Sequence, residues 1–356
     1  MARSVLISAI GFSFFGLLLT RYVFYRFVNL DNLKRRVLVL GAGQRAAELR
    51  VVNSSFVYRG FDIIGFVALE GESAAIPQAL HLSDSSSLSD IVNQYKVDEI
   101  VIAIDDRRKK LPVDELLDLK MSGVTILDLL SFYEREQRLI HLETLSPSWL
   151  VFSDGFVSQG SRPVMKRGFD ILASLLLLSV SWWVMLLTAL AIYLESGFGA
   201  PVLYRQTRVG YRNQRFEVIK FRSMRLDAEK NGAQWASQTD DRVTRVGRVI
   251  RKFRIDELPQ LFNVLRGDMS FVGPRPERPE FVQGFEQTIP YYKERHRVKP
   301  GITGWAQLCY PYGASEYDTW QKLQYDLYYV KNYSLFLDLT IMLSTVEIVL
   351  WGKGAR

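Results

Sequence analysis

The sequence predicts an α/β protein in three parts: an N-terminal membrane helix, a parallel doubly wound α/β domain, and a membrane-associated mixed α/β domain holding a re-entrant helix. Three observations lead there. Short apolar strand patterns alternate with helical ones between residues 34 and 161. Two uncharged apolar runs, Ser4 to Thr20 and Ile171 to Leu194, are of membrane length. Short β-type segments after the second run are interleaved with cations.

At 356 residues and 48% hydrophobic, the chain can bury two cores of ordinary size. Its 45 Lys+Arg against 38 Asp+Glu give +7, which suits lipid headgroups, phosphorylated substrates or nucleic acid. One cysteine, Cys309, rules out an internal disulfide. With only three histidines beside it, a typical zinc site is also excluded, so any metal is a hard, oxygen-ligated ion such as Mg²⁺.

The first run, extended past Arg21 by Tyr22 to Tyr25, reads as a membrane anchor (residues 1–33 with its juxtamembrane segment). A small-residue cleavage site is missing after it, which disfavours a signal peptide. Arg21, Arg26, Lys34, Arg35 and Arg36 follow it against Arg3 before it, so the bulk of the chain is expected on the cytoplasmic face.

The next part, 34–161, opens with Val37 to Leu40, a buried-strand pattern running into Gly41-Ala42-Gly43 and a helical stretch. Further strands are expected at Ile63–Val67, Glu99–Ala103 and Val124–Leu127, with helices at Leu88–Tyr95 and Val113–Met121. This is a Rossmann-like arrangement. Gly41 and Gly43 let the backbone approach a diphosphate at a helix N-terminus, so a nucleotide or dinucleotide is possible here. The competing reading is a tight turn without a cofactor: Ala46 replaces the third glycine, and no acidic residue ends the second strand. Ser83–Ser89 and Asp105–Lys110 read as solvated loops, and Ser146–Ser161 as the linker to the third part, 162–356.

In that part the second apolar run is flanked by Lys166 and Arg167 before it and by Arg205, Arg208, Arg212 and Arg215 after it. Both ends then favour the cytoplasmic face, and a re-entrant helix over about 169–195, bent near Ser179 and Ser181, satisfies both. A plain span or a buried helix competes with it. Leu335–Trp351, interrupted by Asp338 and Glu347, suits an interfacial or packed helix.

Arg205, Arg208, Lys220 and Arg222 are expected to converge, either on phosphate oxygens or on lipid headgroups; phosphate is favoured for Lys220 and Arg222. Helical spacing at Val246–Phe253 and again at Leu258–Leu265 places Arg254 to Glu257 between two helices. Asp256 is thus expected to cap the second helix, which ends at Gly267, and to be held ionised by the helix dipole and Arg254. Such a carboxylate is either a plain cap or a nucleophile or metal ligand. Pro274 and Pro276 stiffen the backbone around Arg275, which suits a bidentate grip on phosphate.

Lys166-Arg167-x-Phe169-Asp170, Lys220 to Met224, Asp256-Glu257-Leu258-Pro259-Gln260, Gly273 to Pro276, Pro300 to Gln307 and Tyr328-Tyr329-Val330 together resemble the bacterial sugar transferase family, the monotopic phosphoglycosyl transferases. The resemblance covers about Met165 to Trp351. The upstream part looks like the nucleotide-fold domain of the family's larger members, and Leu127 to Glu136 resembles the exosortase-associated exopolysaccharide branch. The resemblance implies transfer of a sugar 1-phosphate from a UDP-sugar to undecaprenyl phosphate, with Asp256 as the nucleophile, UMP as the leaving product and Glu257 beside Asp256 holding Mg²⁺. Lys220, Arg222, Arg254 and Arg275 become candidate phosphate clamps, and Asp326 and Asp338 are weaker polar candidates, for which a purely structural role is the alternative. The implied partners are the UDP-sugar, the polyprenyl phosphate, the bilayer of the bacterial inner membrane and, as an open expectation, a second copy of the chain, but no nucleic acid.

The chain departs from the family's pattern at Ser179-Val180, where Ser-Pro is common, and after Gln307, where an Asn-Gly-Arg type loop is missing. Two other functions remain in view. A UDP-sugar dehydratase or epimerase centred on the glycine turn lacks a Tyr-x-x-x-Lys pair, and a non-catalytic membrane scaffold would leave Asp256 a mere cap.

Overall fold

A computed structural model of the chain describes residues 2–27, 33–55, 60–69, 75–77, 79–81, 87–105, 111–156, 161–197, 199–228, 241–310, 313 and 315–351. The chain forms two compact units, Met1–Phe132 and Tyr133–Arg356. The serine-rich stretch after His81 and the charged one after Asp105 lie largely outside the described residues.

The first unit begins with helix α1 (Ala2–Phe27) and continues as β1 (Arg35–Leu40), α2 (Gln44–Ser55), β2 (Phe61–Ala68), β3 (Leu80–His81), α3 (Leu88–Tyr95), β4 (Glu99–Ile102), α4 (Val113–Met121) and β5 (Thr125–Asp128). The strands form one parallel sheet in the order β3-β2-β1-β4-β5. That is the doubly wound pattern, with β1 central, and the apolar runs of β1 and β4 are buried on both faces as a parallel sheet requires. The four expected strands and the helices α3 and α4 are present; β3, two residues long, carries no sequence signal. Leu38, Leu40, Ile100, Leu88 and Leu116 meet in the core. Ser87 and Asp90 cap α3 reciprocally.

Helix α5 (Leu129–Gln137) carries the chain into the second unit, followed by α6 (Pro147–Phe152), α7 (Arg162–Ser196), β6 (Leu203–Val209), β7 (Arg215–Phe221), α8 (Arg245–Lys252), a 3₁₀ turn (Ile255–Glu257), α9 (Gln260–Arg266), β8 (Ser270–Val272), α10 (Pro279–Thr288), β9 (Gly301–Thr303), α11 (Trp305–Cys309), α12 (Glu316–Asn332) and α13 (Leu335–Trp351). The units divide upstream of the linker expected at 146–161. The reason is packing: Ile140 and Leu142 share a core with Val209, Tyr292 and Leu327. Lys331 bonds Glu134 at 2.6 Å and lies 4.0 Å over the Trp149 ring. The expected linker includes α6, capped by Ser146.

Helix α7 is continuous over 35 residues, about 52 Å, and is the described helix long and apolar enough to cross a membrane by length and composition. Its burial pattern is inverted. Asp170, Ser174, Ser181 and Thr188 face protein, whereas Leu172, Leu176, Val180, Trp183, Leu186 and Leu190 are exposed. A helix that turns its polar stripe inward and its leucines outward is built for an apolar solvent. At the expected bend the Ser179 and Ser181 hydroxyls donate to Leu176 O and Leu177 O, at 2.8 and 2.7 Å, and the helix runs on through them without a break.

Both ends of α7 are fastened to the same unit. Near the start, Arg167 donates to the last carbonyls of α9, Val264 O (2.5 Å) and Leu265 O (2.7 Å). Asp170 accepts from Ser270 and from the Phe271 amide. At the far end, Glu195 accepts from the first amides of α8 and Ile192 packs on Phe221 and Ile250.

Candidate active site

The site is assembled from β6–β7, the turn between α8 and α9, and the β8–β9 pair. In the β6–β7 hairpin Tyr204 pairs with Lys220 and Arg208 with Phe216, so Tyr204, Gln206, Arg208 and Lys220 share one face. That face lines a cavity of about 1740 Å³ together with Asp256, Glu257 and Arg275. Arg205, an odd number of residues from Arg208, points the other way, exposed beside Glu217; the expected convergence of four cations is therefore corrected to Arg208 and Lys220 on this face. Arg222 lines the cavity as well, but its guanidinium is turned to Ser196 at the end of α7, and its Nη1 has no partner among the described residues.

Helix α8 is capped by Thr244, as a helix over Val246–Phe253 requires. After it, Arg254 takes the left-handed conformation (φ 58°), reversing the chain into the 3₁₀ turn that carries Asp256 and Glu257. The cap expected of Asp256 is not made. Pro259 occupies the N-cap position of α9, no side chain caps it, and Gly267 closes the other end as predicted. The intervening 3₁₀ turn displaces Asp256 from the helix start. Its carboxylate is buried, and Oδ1 finds no hydrogen-bond partner among the described residues.

Glu257 is the opposite case. Its Oε1 accepts from Lys220 Nζ at 3.0 Å and Arg275 Nη2 at 3.3 Å, with Arg254 Nη1 at 3.9 Å. Burial alone would raise Glu257, but Lys220, Arg275 and Arg254 outweigh it and hold its carboxyl below the usual range. For Asp256 the balance reverses. Burial, then the adjacent Glu257 charge, push it up to about 6 against the pull of Lys220, Arg254 and Arg251. Asp256 thus stays mostly ionised at neutral pH, as expected, but Arg254 only opposes a rise that burial and the adjacent acid cause.

Arg275 is fixed from behind. Gly273 and Gly301 approach so closely that a Cβ on either would lie within 2.3 Å of the other segment's backbone. Arg295 then reaches across: its Nη2 donates to Arg275 O at 2.9 Å while its guanidinium holds Asp326 at 2.7 Å and Tyr292 Oη at 2.8 Å. Asp326 lies at the cavity wall, where Arg295 pairs with its carboxylate and links it to Arg275 O. Arg295 was legible only as one of several cations in the segment 295–299. Asp338 is engaged away from the dyad, by Lys166 at 2.7 Å and Tyr329 Oη at 2.7 Å.

Among the described residues no three His, Cys, Asp or Glu side chains cluster as a metal cage. Mg²⁺ does not need one, since it is commonly held by one or two carboxylates plus substrate phosphates and water. The partnerless Oδ1 of Asp256 beside Glu257 fits that mode.

The first unit's glycine turn differs. Gly41 has φ 127° and a Cβ there would lie 2.6 Å from Ala103 O, so a glycine is required by packing alone. The amides of Gln44 and Arg45, where a diphosphate would sit, already bond the Asp105 carboxylate at 2.8 and 3.0 Å. As folded, the turn at Gly41 and Gly43 does not fit a diphosphate.

A buried, partnerless carboxylate thus sits in a cationic cavity, next to a helix whose leucines face outward, the arrangement of a membrane-associated enzyme. The chain belongs to the bacterial sugar transferase family, whose profile matches residues 161–352. It is 53% identical over 192 residues to a UDP-N-acetylgalactosamine-undecaprenyl-phosphate N-acetylgalactosaminephosphotransferase of Aeromonas hydrophila, covering 54% of this chain and 45% of that one. Over 343 residues it is 33% identical to an undecaprenyl-phosphate glucose phosphotransferase of Komagataeibacter xylinus (94% and 62% covered). Over 324 residues it is 36% identical to a UDP-glucose:undecaprenyl-phosphate glucose-1-phosphate transferase of Escherichia coli (88% and 67%). The chain spans about half to two thirds of the length of these relatives.

Proposed function

We propose that the second unit transfers a sugar 1-phosphate from a UDP-sugar to undecaprenyl phosphate through a covalent intermediate on Asp256, starting exopolysaccharide or glycan assembly. The observation that carries this is the buried Oδ1 of Asp256, which lacks a partner in a cavity whose other charged groups are satisfied or cationic. In the first step a carboxylate oxygen of Asp256 attacks the sugar-bearing phosphorus. The bond from that phosphorus to the bridging oxygen breaks, and UMP leaves with the electron pair. In the second step an oxygen of undecaprenyl phosphate attacks the same phosphorus, the bond to Asp256 breaks, and the carboxylate is restored. Lys220 and Arg275, held against Glu257, face the diphosphate oxygens, and Arg295 keeps Arg275 in place. Asp256 and Glu257 would hold Mg²⁺ against those oxygens, and the ion would neutralise the charge that repels a carboxylate nucleophile.

The names of the relatives support both substrates, and the family match supports the reaction class. Helix α7 enters and leaves on one face, the cytoplasmic face of the inner membrane; its support is that both ends bond the same unit. Tags at Ser161 and Gly210 label from one side on this reading, and opposite-side labelling rejects it. The reaction is tested with membranes, several UDP-sugars, Mg²⁺ and undecaprenyl phosphate. UMP release by the wild type and a loss of at least about 10³-fold in Asp256→Asn are expected; equal release by the variant sinks the nucleophile.

A further inference from the structure

The segment that carries Arg275 is anchored in an unusual way. Pro274 and Pro276 flank Arg275 and neither has an N–H to donate, so the stretch is held through its carbonyls. Four successive carbonyls, of Pro274, Arg275, Pro276 and Glu277, accept from Gly301 N at 3.0 Å, Arg295 Nη2 at 2.9 Å, Arg208 Nη1 at 3.1 Å and Val209 N at 2.9 Å. Two of those donors, Arg208 and Val209, are neighbours at the end of β6.

Arg208 lines the cavity, where a lone guanidinium would be a further grip on phosphate. Its hydrogen bonds point elsewhere. Nε and Nη2 both donate to Gln206 Oε1, at 3.0 and 2.6 Å, and Nη1 donates to Pro276 O and, at 3.5 Å, to Glu277 Oε2. These bonds engage most of the N–H groups of a guanidinium and leave it little to offer an anion. Gln206, two residues earlier and so on the same face of the strand, donates in turn from Nε2 to Tyr204 Oη at 3.1 Å. Tyr204 pairs across the hairpin with Lys220. One face of β6–β7 therefore carries Lys220 directly and holds the Arg275 segment at one remove. Those two cations meet at Glu257 Oε1, at 3.0 and 3.3 Å.

We propose that Gln206 and Arg208 are positioning residues: Gln206 orients the Arg208 guanidinium, which fixes Pro276 O and thereby sets where Arg275 stands relative to Lys220. Arg208 does not itself bind the diphosphate. The proposal rests on the reading of Lys220 and Arg275 as the groups that meet the diphosphate of the sugar nucleotide. Arg295, from the turn Tyr292–Arg297, and Arg208, from the hairpin, grip adjacent carbonyls, so without Arg208 the segment loses its hold on the side of Lys220. A misplacement of about 1 Å in a substrate-positioning group can cost on the order of 10²-fold in rate, so a partly loosened Arg275 is expected to lower turnover measurably.

The test is a double-mutant cycle with Arg275, on the full chain in nanodiscs. It is read as kcat/KM for UMP release and as calorimetric affinity for a UDP-sugar in the Asp256→Asn background, which needs no turnover. Arg208→Met is expected to lower both by about ten-fold, and Gln206→Leu, which leaves the Arg208 charge in place, by about five-fold. In the Arg275→Met background either substitution should change both by under about two-fold, because the group being positioned is gone. Arg205→Met removes a cation from the opposite face of the same strand and should stay within about two-fold throughout. Losses that repeat in full in the Arg275→Met background would mean that Arg208 grips substrate itself, and would overturn the proposal. An unchanged Gln206→Leu, or an Arg205→Met loss as large as that of Arg208→Met, overturns it as well. Should Arg208→Met not fold, Gln206→Leu decides alone. Absent UMP release from the wild type, with the coupling to Arg275 present in the affinities, condemns the transferase reading alone.

Discussion

Each unit places a carboxylate close to the start of a helix, and the two carboxylates are used in opposite ways. Asp105 gives both oxygens to the amides of Gln44 and Arg45 and so completes α2. Asp256 sits three residues before Pro259, caps nothing, and keeps a buried oxygen without a partner. A satisfied carboxylate stabilises a fold, whereas an unsatisfied one stores the cost of burial, of order 1–3 kcal/mol for a polar group, at a place where a substrate or ion can relieve it. The carboxylate beside the glycine turn of the first unit thus serves the helix start, and the partnerless one of the second is the candidate for chemistry.

Substitutions sharpen that contrast. Beyond Asp256→Asn, the largest effect on turnover is expected of Glu257→Gln. It leaves Lys220 and Arg275 without their shared anion, and UMP release should fall by about 10²-fold; a change under two-fold would mean that the cations are held elsewhere. Arg295→Met removes the partner of buried Asp326 and the hold on Arg275 O. About 3–5 kcal/mol of stability should be lost, read by chemical unfolding, with a fall in kcat/KM that Arg295→Lys restores only in part. Asp105→Ala should cost about 1 kcal/mol and leave UMP release within two-fold, and titration of NAD or UDP into the wild-type first-unit turn should produce no binding heat. Strong nucleotide binding there would dissolve the contrast.

The smallest effect is electrostatic. Because the folded environment raises Asp256 to about 6, its charged form is disfavoured in the fold, and its contribution to stability declines as pH rises from the unfolded value near 4 through about 6. Attack on phosphorus needs that charged form, so activity requires pH above the same midpoint. Carboxyl NMR of the metal-free protein should place the midpoint near 6, and Lys220→Met should move it upward, since Lys220 opposes the shift. A midpoint near 4 would mean that Asp256 is hydrated rather than buried.

Periodicity made the strands at Val37, Ile63, Glu99 and Val124 legible, and with them the helices ending at Gly267 and Trp351. The motifs Asp256-Glu257 and Gly273 to Pro276 made the heart of the site legible. What escaped depended on distant contacts. The hold of Asp105 on α2 joins residues 60 apart in sequence, and that of Arg295 on Asp326 joins residues 31 apart. The position of Asp256 was misread because a 3₁₀ turn and the left-handed Arg254 leave no trace in hydrophobic spacing. Spacing alone does not separate Arg222 from its strand neighbour Lys220, which turns to the dyad while Arg222 donates to Ser196 at the end of α7. The continuity of α7 through Ser179 and Ser181 shows that hydroxyls bonded back to the helix can be accommodated without a break.

The central claim, that the partnerless oxygen of Asp256 is the nucleophile, is tested most directly by trapping. Purified protein is incubated with a UDP-sugar and Mg²⁺ without acceptor, quenched, and digested for mass spectrometry. A phosphosugar adduct on the peptide holding Asp256, removed by added undecaprenyl phosphate, is the expected result. UMP release from the wild type with no adduct on that peptide, or with the adduct on another residue, would contradict it.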